Sequence, residues 1–258
     1  MAEKEVEAAE CIKRLLDYLN ALEHLQAPTE RQSAVLLGYG WWVRVLRTAA
    51  ATDRLHQGGF GHEASPLVRT VVHHAAALVR LAKDPDEVIE AVEYQHRQKA
   101  QKFAAGAITR QWDLSGVTEL PKKPKGPAPA GLVYLEKFET LCHDMGLSEL
   151  YVSYMIESAY LHPTANGADV YLELTSEEEL RLRNESSLDA TPLRVVATFA
   201  LLATCAFASL AAGPFGDRLG ELVDAASQRL GVDVKSLVPR APEAGTKASP
   251  DESPPSAT

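Results

Sequence analysis

Tyr154, Ser158 and His162 recur every fourth residue, and Pro163 closes the run. On an α-helix that spacing stacks three polar side chains along one face, and the residue before a proline is driven out of helical geometry. His162 is therefore expected where both the helix and the polar stripe end. Val152, Met155, Ile156, Ala159 and Leu161 give the same segment an apolar side. The hydroxyls and the imidazole are thus expected to lie partly inside the protein, where they need hydrogen-bonding partners. Two readings fit. An imidazole that titrates near neutral pH can serve as acid or base in a pocket lined by Tyr154, Ser158 and His162. Alternatively, the stripe is a structural ladder, with His162 at the carbonyl end of the helix. No Gly-x-Ser-x-Gly turn surrounds Ser158, so a serine nucleophile is not indicated.

A second cluster lies in Arg69-Thr70-Val71-Val72-His73-His74. Arg69 and His73 are four residues apart, on one helical face, and Arg80 follows two turns beyond. A guanidinium in so apolar a helix is costly to bury alone, so a carboxylate such as Glu93 or a ligand anion is expected to face it. Metal binding by His73, His74, His143, Asp144 and His162 lacks any His-Glu-x-x-His or Glu-x-x-His pairing. Neither a Gly-x-x-x-x-Gly-Lys-Ser/Thr loop nor a Gly-x-Gly-x-x-Gly turn occurs, so no metal and no nucleotide cofactor is expected.

These side chains must be held by helices. Ile12, Leu15, Leu16, Leu19, Leu22 and Leu25 predict a first helix over residues 5–26, stopped at Ala27-Pro28. A second runs to His56 and ends in Gln57-Gly58-Gly59-Phe60-Gly61. Ser65-Pro66 and Asp84-Pro85 each open a further helix, the latter over about 86–104. Residues 105–131, rich in glycine and proline, read as a long loop that is a flap or a linker. Helices resume over Leu132–Met145 and from Ser148 to His162. Val170-Tyr171-Leu172 predicts at most one short isolated extended piece, and Ser176-Glu177-Glu178-Glu179 opens a polar helix or loop.

Val195 to Gly213 is a run of 19 residues without a charge. That length reaches the lower bound for a membrane span. Its small residues and the lack of an aromatic belt favour a central buried helix instead, near residues 193–212. An amphipathic helix over 215–230 follows, and the Pro- and Ser-rich residues 239–258 read as a disordered tail.

The expected architecture is all-α: one bundle of about seven to nine helices over residues 1–238. The net charge of −9 argues against general DNA or RNA binding while allowing a local basic groove. Lys122-Lys123-Pro124-Lys125 reads as solvated linker. Cys11, Cys142 and Cys205 are far apart and odd in number, and the acidic N-terminus is unlike a signal peptide. A cytoplasmic protein with reduced thiols is expected; its oligomeric state, a homodimer included, is open.

Three elements together resemble the mostly bacterial, uncharacterised family known as domain of unknown function (DUF) 5677. They are Val68-Arg69-Thr70, Lys83-Asp84-Pro85-Asp86 with Glu93-Tyr94, and the Tyr-x-x-x-Ser-x-x-x-His-Pro-Thr run. The resemblance spans about Val35 to Ala212. It implies an all-helical intracellular protein with a polar pocket built from Arg69, Tyr94, Ser158 and His162, and no established chemistry. The family usually looks acidic where this chain has His73, so an arginine–carboxylate pair at that point does not carry over.

The function expected first is non-catalytic binding of a small anionic ligand or a partner segment by Arg69, His73, Tyr94, Tyr154, Ser158 and His162. The alternative comes from a looser likeness: Arg69 with four residues before His74 resembles the Arg-x4-6-His pattern of metal-independent ribonucleases of the higher-eukaryote-and-prokaryote nucleotide-binding (HEPN) superfamily. That likeness implies RNA cleavage by His74 or His162 with Arg69, in stress or defence. Membrane association through residues 195–213 is a third, weaker reading.

Overall fold

The centre of the molecule is a helix that is apolar nearly all round. The computed structural model describes residues 2–25, 29–113, 124, 126–159, 171–174, 180–182, 193–211 and 213–238. Its helices are α1 (Ala2–Asn20), α2 (Gln32–Gln57), α3 (Ser65–Lys83), α4 (Pro85–Thr109), α5 (Leu132–Glu136), α6 (Phe138–Asp144), α7 (Ser148–Ala159), α8 (Leu193–Ala211) and α9 (Gly213–Leu230). The all-α bundle expected from apolar spacing is the fold observed.

Helix α8 packs against α1, α2, α3 and α9. Its small residues Ala197, Ala200, Ala203 and Ala206 are buried and let neighbouring helices come close. By length and composition it is the one helix among the described residues able to cross a membrane, yet it occupies the bundle core. A buried polar pair fixes its register. The Trp42 indole N–H donates to Thr204 Oγ1 over 3.0 Å, and the Thr204 hydroxyl donates to the Ala200 carbonyl over 2.8 Å. Trp42 also stacks on Phe207, ring centroids 4.8 Å apart. Glycine is required where α9 turns back over α8: a Cβ on Gly216 would lie 2.6 Å from the Ala208 carbonyl oxygen. The three cysteines are free and buried, and burial pushes the Cys11 thiol up to about 12.

Several boundaries differ from the sequence reading. The first helix stops at Asn20 rather than at 26, because Ala21 and Leu22 close it with N–H bonds to Asp17 and Leu19. Leu22 and Leu25 still pack on the core from non-helical backbone, so apolar spacing alone mimicked another turn. Helix α4 continues past 104 to Thr109. Leu132–Met145 is two helices, since Lys137 adopts extended backbone (φ −122, ψ 98) and redirects the chain. The extended piece is Leu172–Leu174, and it is not isolated: it pairs antiparallel with Leu180–Leu182, Leu172 opposite Leu182. Tyr171 beside it donates its hydroxyl to Glu63, just before α3. The central part of the expected flap, 114–123, the Glu177–Glu179 run and the tail 239–258 lie outside the described residues.

Candidate functional site

Helix α3 begins at Ser65-Pro66, where proline suits the first turn. Its buried residues, Val68, Val71, Val72, Ala75 and Ala76 among them, seat it against α2 and α8 and leave Arg69 and His73 at the side. Helices α6 and α7 close over that side. Between them Gly146 takes a positive φ of 69°, and the Leu147 N–H reaches the Cys142 carbonyl at 2.8 Å. This glycine turn aims α7, and with it Tyr154, at α3.

The result is an arginine held in an aromatic frame. The Arg69 guanidinium carbon lies 4.4 Å from the centroid of the Tyr154 ring, and Nη2 donates to the Tyr154 hydroxyl over 2.7 Å. Tyr154 in turn packs on Phe138 at 4.2 Å between centroids, and His73 meets Phe138 edge-to-face at 5.2 Å. A partly desolvated cation–π contact of this kind contributes about 1–2 kcal/mol. Arg69 Nε is buried without a hydrogen-bond partner. No carboxylate among the described residues pairs with Arg69. Glu93, the partner considered from sequence, is instead bonded to Arg97 on its own helix, at 2.6 Å.

Burial, reinforced by the nearby His74 and Arg69, pushes the His73 imidazole down to about 4. It is neutral at physiological pH and adds no charge beside Arg69. His74, five residues from Arg69, points elsewhere: its Nδ1 lies 2.8 Å from the Thr70 carbonyl and so must carry the ring proton. Burial holds its pKa below the ordinary imidazole range. The Ser158 hydroxyl donates to the Tyr154 carbonyl, 2.6 Å away, one turn back along α7. Ser158 is thereby a helix-satisfying hydroxyl. Tyr94 is half-buried on α4. His162 and Pro163-Thr164 lie outside the described residues.

Arg80 is the second buried cation of α3, 5% exposed; its Nε, like that of Arg69, is buried without a partner, but its two terminal nitrogens face carboxylates. It pairs with Asp84 at the α3–α4 junction and Glu87 in the first turn of α4 and approaches Asp144 of α6 at 3.7 Å, while its guanidinium lies over the Tyr134 ring of α5 at 4.4 Å. Lys83 adds a bond to Asp144 at 3.1 Å. Phe138 and Tyr134 carry no spacing signal in the sequence, and Asp144, considered there as a metal ligand, instead faces Arg80 and Lys83. Two cavities lined by described residues lie away from Arg69, one of about 440 Å³ between Tyr18, Leu22 and Phe215 and one of about 340 Å³ between Cys11, Leu222 and Ala226.

Fold and site together define an all-α bundle with a stacked arginine whose charge is not matched by a carboxylate among the described residues. The chain matches the model of a family of unknown function, DUF5677, over residues 35–180, more than half its length, and it belongs to that family. The matched region runs from within α2 to the first residue of the second short strand and contains the Arg69 and Arg80 clusters. It ends before α8, short of the Ala212 limit read from the sequence. No curated protein and no solved structure matches the chain. The HEPN likeness gains no support from these comparisons.

Proposed function

We propose that the protein binds a small oxyanion, free or carried on a partner segment, at Arg69, without catalysis. The observation behind this reading is the donor surplus of Arg69. Of its five N–H groups, one is bonded to the Tyr154 hydroxyl, Nε is buried and unpartnered, and the neighbouring His73 is neutral. A guanidinium pre-stacked on tyrosine loses little further freedom on accepting a carboxylate or phosphate. His73 and Tyr154 flank the anion in this reading, and Ser158 orders α7. The free, buried thiols are in keeping with a reducing, cytoplasmic setting.

The test is thermal unfolding of the full chain with increasing phosphate, citrate and mononucleotides. Wild type gains stability with the logarithm of ligand concentration above Kd, about 3 kcal/mol at a hundredfold excess. Arg69→Ala abolishes the gain, and Arg69→Lys keeps part of it. An identical ligand response in Arg69→Ala makes the stack purely structural. RNA cleavage in EDTA, lost in the same variant, replaces binding with ribonuclease activity.

A further inference from the structure

The second half of α4 reverses the charge balance of the chain. Between Glu93 and Asp113 it carries Arg97, Lys99, Lys102 and Arg110 and no acidic residue, in a protein of net charge −9. His96, Lys99, Phe103 and Arg110 follow one another at spacings of three, four and seven, which places them on one helical face. All four are exposed, as is Lys102 beside them. Arg97 is taken up by Glu93, whereas Lys99 bonds only the neutral Gln95, and Lys102 and Arg110 have no carboxylate partner among the described residues.

An aromatic ledge closes this face. Helix α4 ends with Gln111 at φ 55°, a left-handed conformation that side chains other than glycine seldom adopt. The Gln111 N–H donates to Ile108 and the Trp112 N–H to Ala107, each over 3.0 Å, the two bonds of a Schellman turn. That turn folds Trp112 back onto Phe103, with ring centroids 5.8 Å apart at 66°. Both rings remain open to solvent, Phe103 63% and Trp112 51% exposed.

We propose that this face of α4 docks single-stranded nucleic acid. Lys99, Lys102 and Arg110 meet successive phosphates, and an unstacked base lies on the Phe103–Trp112 ledge. Charge complementarity requires a polyanion, and exposed rings beside the cations require a partner with free π-faces, which a duplex hides. An anionic membrane fits less well. An interfacial helix needs a continuous apolar stripe, whereas here Phe103 has His96, Lys99 and Arg110 above and below it on its own face.

The experiment is fluorescence anisotropy of the full chain with labelled oligo-U and oligo-dT of about 20 nucleotides at about 50 mM salt. Wild type binds, and log K falls with log salt at a slope of about −2, as three phosphate contacts require. The triple variant Lys99→Glu/Lys102→Glu/Arg110→Glu binds at least about tenfold more weakly. Phe103→Ala/Trp112→Ala loses about tenfold with the salt slope unchanged. All five positions are exposed, and circular dichroism checks that the variants fold. Absence of binding in wild type, or equal binding by the triple variant, overturns the proposal. Capture of phosphatidylserine vesicles without oligonucleotide binding overturns it in favour of a membrane surface. The α4 variants retain the phosphate response of Arg69, so failure of one site is separable from failure of the other.

Discussion

His73 faces Phe138 while sharing a helix side with Arg69, and its proton is where acid reaches this site. Folded, the imidazole titrates at about 4; unfolded, it returns to near 6.5. Between those values the unfolded chain holds a proton that the folded chain lacks. Stability contributed by the neutral ring is therefore present at pH 7, declines as pH falls through 6.5, and is fully lost below about 4. Allowing for the ring's partial contact with water, the loss is on the order of 2 kcal/mol. Urea unfolding at neutral and acid pH checks this: His73→Gln removes that share of the acid sensitivity, and an unchanged pH profile rules out His73 as its source. Arg69, His73 and Tyr154 were legible in the sequence because residues four apart on a helix share a face. Phe138 was not, since nothing distinguishes one core phenylalanine from another until the chain folds.

Among the elements, the α3–α4 corner depends on Arg80, through which α3, α4, α5 and α6 meet. Three carboxylates and one tyrosine ring surround a guanidinium that is almost fully buried. Removing one member of a fully buried ion pair costs about 3–5 kcal/mol. Here the carboxylates keep contact with water, and Asp84 is 46% exposed, so Arg80→Met is expected to cost about 2 kcal/mol. Chemical denaturation measures the loss. Hydrogen exchange should show the first turn of α4 opening before α8, and uniform exchange across both would disprove the corner's role. The Asp84-Pro85 start of α4 was readable from its turn chemistry. The pairing of Arg80 with Asp84, four residues on, is within reach of the same local reading, whereas Asp144 and the Tyr134 ring that complete the anchor are far away in the chain.

Across the whole molecule, α8 sets cooperativity. Leu201 is fully buried in the helix that touches α1, α2, α3 and α9, so Leu201→Ala is expected to cost about 2–5 kcal/mol. If residues 1–238 form one domain, helix content by circular dichroism and tryptophan fluorescence fall together in a single transition, in wild type and in this variant. Two separated transitions would divide the chain into independently stable parts. The amino-acid sequence by itself determined the helical class, most helix starts and the central place of the apolar 193–211 segment, because periodicity, caps and prolines act over a few residues; the faces of α7 it did not, since Val152 and Met155 of the expected buried side are exposed and Tyr154 packs inward. Only the tertiary structure decided what those faces meet: Tyr154 on Arg69 instead of a carboxylate, Phe138 on His73, Asp144 on Arg80 and Trp42 on Thr204. Pairing across dozens of residues depends on how packed helices cross, and that geometry is a property of the assembled core.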